Sequence, residues 1–305
     1  MIAFTLRRLA IAICVALTVS VIGFMLLHLT GDLARAIAGA EASPDQVEQI
    51  RVQYGLDRPL ALQYFDWLLG ALRLDFGQSL FFRDSVVSLI GVRLPVTLTL
   101  GAIALLIALA IAVPLGVLAA VKRGGWIDRT ALAFCVLGQA MPTFWLGLTL
   151  IIVFSVNLRW LPVSGNATWA HYVLPSVTLA WYAVPALMRL TRNGMLDVLA
   201  SDYIRTARAK GLRTSSVLFK HALRNAMIPV VALAAVQFGF MLGGSIVVEA
   251  VFSMHGIGHL AWEAIARKDF PVMQAIVLVL ATIYIALTFA ADILNAWLDP
   301  RIRIA

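Results

Sequence analysis

Charge is scarce in this sequence. Of its 305 residues only 13% are Asp, Glu, Lys or Arg, against 61% hydrophobic residues, and the mean hydropathy is +0.91. A soluble domain carries about a quarter charged residues, so composition excludes an ordinary soluble fold. Uncharged apolar blocks of about 18 residues or more recur along the chain, and such blocks read as membrane spans. Cysteine is nearly absent. Cys14 and Cys135 both sit inside apolar runs, where cysteine behaves as a small hydrophobe and not as half of a disulfide or metal pair.

Enzyme signatures are missing as well. Without a Gly-x-x-x-x-Gly-Lys-Ser/Thr phosphate loop the chain does not hydrolyse nucleotide through that fold. No Gly-x-Ser-x-Gly nucleophile elbow occurs either. His255 and His259 are four apart, but Gly256-Ile257-Gly258 between them disfavour a helix and lack the glutamate of a zinc protease, so the stretch is expected to be a glycine-shaped external turn. The apolar runs carry no central ionisable residue; His28 and Asp292 lie near run ends, which argues against an intramembrane protease.

What charge there is has a pattern. The net charge of +8 and pI near 10.0 come from basic residues concentrated between the apolar runs, which is the positive-inside arrangement and not a nucleic-acid footprint. Arg7-Arg8 precede an apolar run to Gly31 that is longer than the 7–15 residues typical of a signal peptide core, so residues 1–31 read as an uncleaved first helix entering from the cytoplasm. Residues 32–94 differ in kind: between 32 and 93 there are eight acids and six arginines, and Ser43-Pro44-Asp45-Gln46 has the form of a capped helix start. We expect a small helical external subdomain there. Residues 95–296 hold five further spans, at 95–121, 130–156, 172–188, 226–248 and 272–291, and residues 297–305 form a cytoplasmic tail. Six spans with both termini inside place the basic loops at 122–129 and 189–225 in the cytoplasm, whereas five or seven would put one of them outside. The expected fold class is an all-α polytopic membrane protein of six transmembrane helices.

Within the spans, Gln139, Met141, Pro142, Gln237 and Ser245 are polar or helix-perturbing. They are candidates for lining a pathway, and equally for buried bonds between helices. Gly239 and Gly243 form a Gly-x-x-x-Gly pair, suited to a partner helix, to the pathway, or to internal packing. The island at 189–225 has eight Lys or Arg against Asp197 and Asp202, the largest charge excess in the chain. It is rich in helix formers, with Gly211 where a helix would stop. Its positive charge can anchor topology and meet anionic lipid, but its length and small residues suit a handle for a soluble partner.

Asp202-Tyr203-Ile204-Arg205-Thr206-Ala207-Arg208-Ala209-Lys210-Gly211 closely resembles the coupling-loop signature of bacterial ABC importer permeases of the dipeptide, oligopeptide, glutathione and nickel group. The general signature is Glu-Ala-Ala, three residues, Gly, then nine residues to Ile-x-Leu-Pro. Here Ala207 and Gly211 match, Arg205-Thr206 replace Glu-Ala, Leu223 is kept, and His221 and Arg224 stand in place of Ile and Pro. Leu6-Arg7-Arg8-Leu9, Gly55-Leu56-Asp57-Arg58-Pro59-Leu60, Asp75-Phe76-Gly77-Gln78-Ser79, Arg224-Asn225-Ala226-Met227-Ile228-Pro229-Val230, Gly243-Gly244-Ser245-Ile246-Val247-Val248-Glu249 and Phe270-Pro271-Val272 extend the resemblance over nearly the whole chain. It implies a type I importer permease of the bacterial inner membrane, paired with a second homologous permease, two ABC ATPase subunits that bind ATP and Mg, and an external solute-binding protein. It implies no cofactor in this chain. Asp202, Tyr203, Arg205, Thr206, Arg208 and Lys210 would meet an ATPase, with Ala207, Ala209 and Gly211 allowing close approach. Peptide or glutathione is the implied cargo, with nickel as the alternative in the same group. An ion-driven secondary transporter would be expected to show intramembrane acids or half-repeats, and neither is clear.

Overall fold

The computed structural model describes residues 2–29, 32–39 and 41–298, and every regular element among them is a helix. In chain order these are α1 (Ile2–Leu29), α2 (Leu33–Ala38), α3 (Pro44–Gln53), α4 (Leu60–Leu72), α5 (Val86–Val121), α6 (Trp126–Ala140), α7 (Thr143–Leu150), α8 (Trp169–Leu199), α9 (Asp202–Ala209), α10 (Arg224–Val251), α11 (Ile257–Arg267) and α12 (Phe270–Leu298). A π-helical segment, Ile151–Asn157, continues α7, and another, Ser216–Leu223, leads into α10. Five helices are long and apolar enough to cross a membrane. The sixth crossing is the pair α6 and α7, bent by 100° at Met141–Pro142. The expected tail lies largely outside the described residues.

The polar segment after α1 is helical, as its capping pattern required. Ser43 Oγ accepts from the Gln46 amide and the Gln46 side chain accepts from the Ser43 amide, closing a capping box with Pro44 in the first turn. Arg51 joins α3 to the cap of α2 through a 2.6 Å contact with Asp32. The apolar face of α4 lies on α1, where Tyr64 and Trp67 pack against Phe24 and Tyr64 bonds Ser20 at 2.7 Å.

Three boundaries differ from the charge-based expectation, for one reason. Charge marks where a helix leaves the membrane, not where it ends. Helix α5 starts at Val86, capped by Ser85, so residues 86–94 are already part of the long helix. Arg93, on that extension, pairs with Glu263 at 3.0 Å. Helix α8 continues through Arg189 and Arg192 to Leu199, and α10 grows without a break out of the π-segment before it.

Helices α5 and α8 form the centre. Leu100, Ala104, Ala108 and Ala112 repeat every fourth residue on α5 and are buried with Leu179, Ala183 and Leu187 of α8. This spacing places small side chains on one helix face and allows close approach. At Gly116 the approach becomes absolute: an added Cβ would lie 2.7 Å from Thr191 Cβ and 2.8 Å from the Met188 carbonyl oxygen. Glycine is the only residue that fits without moving a backbone. Gly116→Ala should therefore lower the thermal midpoint of the purified chain in detergent, at a cost of about 1–3 kcal/mol from overpacking. Gly243→Ala, where an added Cβ meets nothing within 4 Å, should leave it unchanged. Equal midpoints would contradict this packing.

Candidate functional site

Helix α9 has two faces. Ile204 and Ala207, three residues apart, are buried among Val117 and Ala120 of α5, Met195 of α8, Val217, Ala222 and Ala226. Asp202, Tyr203, Arg205, Thr206, Arg208, Ala209 and Lys210 are exposed. The helix stops where the sequence required: Gly211 adopts φ +74°, its amide donates to the Arg208 carbonyl at 2.9 Å, and nothing lies within 4 Å of its would-be side chain. Arg205 and Asp202 touch at 3.2 Å but are 78% and 92% exposed, so their pairing is weak and can be exchanged for a partner's groups. The fold turns Ala207 inward, against the expectation that it allows close approach from outside. That face is left to Ala209 and Gly211.

Two polar contacts hold this end of the molecule together, the first of them between α9 and α10. Asn225 Nδ2 donates to Tyr203 Oη at 2.7 Å, beside an open hollow also bordered by Lys220, His221 and Arg224. Below it, Arg192 grips Asp128 with two bonds of 2.6 and 2.8 Å, and Asp128 also accepts the Gly124 amide at 2.9 Å. Asp128 is buried, so the turn between α5 and α6 is clamped to the C-terminal end of α8. Sequence reasoning passed over this pair. The only available signal was a lone acid inside a basic turn opposite a basic island.

The pathway candidates separate into groups. Gln139, Met141 and Gln237 come together with Thr143, Trp181 and Tyr182 around a cavity of ≈ 230 Å³, and Pro142 stands in the break that opens it. Ser245 is buried and donates to the Leu242 carbonyl within its own helix, away from that cavity. Gly239 packs internally, since a Cβ there would overlap the ring of Tyr284 at 2.3 Å. Gly243 faces outward, with Phe240, Gly244 and Val247 on the same exposed side of α10.

On the opposite side of the molecule two buried carboxylates were missed. Glu249, fully buried at the end of α10, accepts from Thr97 Oγ1 at 2.7 Å and from the His259 amide at 2.9 Å, while Thr97 accepts the Ile257 amide at 2.8 Å. These are first-turn amides of α11, which a carboxylate satisfies together with the helix dipole. The stretch expected to be a turn at 255–259 is thus a helix start. Gly256 is glycine because a Cβ would sit 2.5 Å from both Glu249 Oε2 and Thr97 Oγ1. Asp269 plays a matching part: fully buried, it accepts from Ser79 Oγ and from the amides of Leu80 and Phe81. Among the described residues no group of three or more His, Cys, Asp or Glu could hold a metal ion. Glu249→Ala should raise amide hydrogen exchange across residues 257–267 by about tenfold or more, the loss of charged capping bonds costing about 1.5–3 kcal/mol. Unchanged exchange would refute the anchor.

Residues 112–304 match the family described as binding-protein-dependent transport system inner membrane component, and residues 1–101 match the N-terminal part of such membrane components. The chain is 43% identical over 304 residues to the glutathione transport system permease protein GsiC of Escherichia coli strain K12, covering 99% of each chain, and equally to that of Salmonella typhi. Its fold is similar to a chain of the MetNI methionine ABC transporter in an inward-facing conformation, with a TM-score of 0.60, 22% identity, and coverage of 69% of this chain and 96% of that one.

Proposed function

This chain belongs to the binding-protein-dependent transport system inner membrane components, and we propose that it forms half of an import pathway for peptide-like solutes, with glutathione foremost. As a family member it is the membrane permease subunit of an ABC importer, working with ABC ATPases and a solute-binding protein. The glutathione reading draws on the 43% identity to permeases bearing that name. A second, homologous permease supplies the other half, against the exposed side of α10 at Phe240, Gly243, Gly244 and Val247. Both termini lie in the cytoplasm, as the basic loops favour.

The observation that carries the mechanism is the division of α9. Its inner face belongs to the hydrophobic packing of α5 and α8, and its outer face carries Tyr203, Arg205, Arg208 and Lys210. Seated in a cleft of one ATPase, the outer face makes charge-assisted bonds with acidic residues there. Closure of the ATPases on ATP then moves α9 together with the spans on which it rests. The two packings of those spans, open inward and open outward, differ as rigid bodies. ATP and Mg bind the ATPases, and this chain contributes position only.

Reconstitution with both permeases, the ATPases and the binding protein tests this, comparing ATP-dependent uptake of glutathione, a dipeptide and nickel side by side. Glutathione or dipeptide uptake is expected, and uptake of nickel alone would overturn the peptide reading. Gly211→Asp adds a charge and a side chain at positive φ, and should abolish uptake while the chain still inserts. Unchanged uptake and substrate-stimulated ATP hydrolysis in that variant would remove α9 as the lever. Lys210→Cys should react with impermeant maleimide only from the cytoplasmic side.

A further inference from the structure

The cavity at the broken third span holds an imbalance that the general reading does not use. Its walls are polar: the amides of Gln139 and Gln237 and the hydroxyls of Thr143 and Tyr182 can both donate and accept, and Trp181, whose buried Nε1 has no hydrogen-bond partner, can only donate. No acidic side chain lines it. At its edge Arg189 Nη1 donates to Gln139 Oε1 at 3.0 Å.

Three arginines on the long helices have carboxylate partners: Arg8 has Asp292, Arg93 has Glu263 and Arg192 has Asp128. Among the described residues Arg189 forms no ion pair. It has five N–H donors, and the amide of Gln139 leaves most of them unused. It lies 20 residues along α8 from Trp169, about 30 Å at the helical rise of 1.5 Å, and helical side chains lean toward the N-terminal end. Its guanidinium, at the far edge of the span, leans back toward Gln139 beside the cavity. An unmatched charge at the edge of the hydrocarbon belongs on a water-filled or protein-covered face, not against lipid. Tyr182, Ala186, Arg189 and Asn193 follow one another at helical spacing on that side of α8.

We propose that Arg189, oriented by Gln139, is the contact for a solute carboxylate in the import pathway, and that the pathway therefore selects for peptide-like anions over a bare divalent cation. The inference rests on the importer reading above. A planar guanidinium matches a carboxylate with two parallel bonds, while its partner amide and the free indole N–H supply further donors. A bare metal cation meets no carboxylate there and faces a repelling charge. Free peptides carry the required carboxylate at their C-terminus, and glutathione carries two.

The test uses the complete reconstituted importer with reduced glutathione and alanyl-alanine as probes, following uptake and binding-protein-stimulated ATP hydrolysis together. Arg189→Gln should reduce uptake about tenfold, the loss expected of one charge-assisted hydrogen bond. ATP hydrolysis should stay within about twofold of wild type, because α9 and its packing are untouched. Arg189→Lys should recover part of the uptake, retaining the charge without the planar fork. Unchanged uptake in Arg189→Gln, with wild-type import intact, would overturn the carboxylate contact alone. A parallel fall of uptake and ATP hydrolysis, or a lysine variant no better than the glutamine one, would assign Arg189 to structure or coupling and overturn it too. Absence of any peptide import by the wild-type complex would overturn the importer reading itself.

Discussion

The close approach of α5 and α8 is the constraint on which the rest of the molecule depends. At Gly116 there is no room for a single carbon between Thr191 and the Met188 carbonyl. Inside a bilayer no hydrophobic force drives helices together, because lipid is as apolar as leucine, and small residues must supply contact area by letting backbones meet. The alanine ladder of α5 does this over three turns. Helix α9 then rests on the C-terminal ends of the same two helices through Ile204 and Ala207. The part of the chain that meets water is bolted to the part that is hardest to deform.

Polar groups complete the frame at both ends. Asp128 and Arg192 clamp a turn to α8 on the cytoplasmic side. On the other side Glu249 and Asp269 gather amides from α11 and from residues 80–81, so that irregular backbone near the membrane is satisfied within the protein. Between these ends the third crossing is broken at Pro142, and the break opens a cavity with polar walls. A rigid pair of helices carrying one broken neighbour is a reasonable arrangement for a wall that must both hold shape and let a polar solute past.

Much of this was legible in the sequence, and the limits are instructive. Uncharged runs revealed the crossings, and Gln139-Ala140-Met141-Pro142 marked the break, because proline and polar groups at membrane depth need a structural reason. Ser43 and Gln46 announced their capping box, and Gly211 its helix stop. Helix ends were misjudged where charge stood in for geometry, as at Val86 and Leu199, since a helix can leave the membrane and continue in water. Glu249 and Asp269 were invisible because a carboxylate in a loop-like stretch looks solvated until its amide partners, about 10 and 190 residues away in sequence, fold around it. Ala207 was assigned outward from its small size and the resemblance to the coupling-loop signature; only the pitch of α9, with Ile204 three residues before it, determines that it points in. Arg189 was counted with the cytoplasmic island because it opens a run of basic residues, although its side chain reaches Gln139 at the break.

The central claim is that α9 moves as one body with α5 and α8. Spin labels at Lys210, on the exposed side of the coupling segment, and at Leu118, exposed near the cytoplasmic end of α5, measure this directly in the assembled importer. The distance between them should be the same with and without ATP, within the width of the label distribution. A shift of about one helical turn, roughly 5 Å, would mean that α9 slides over the spans and would contradict rigid coupling.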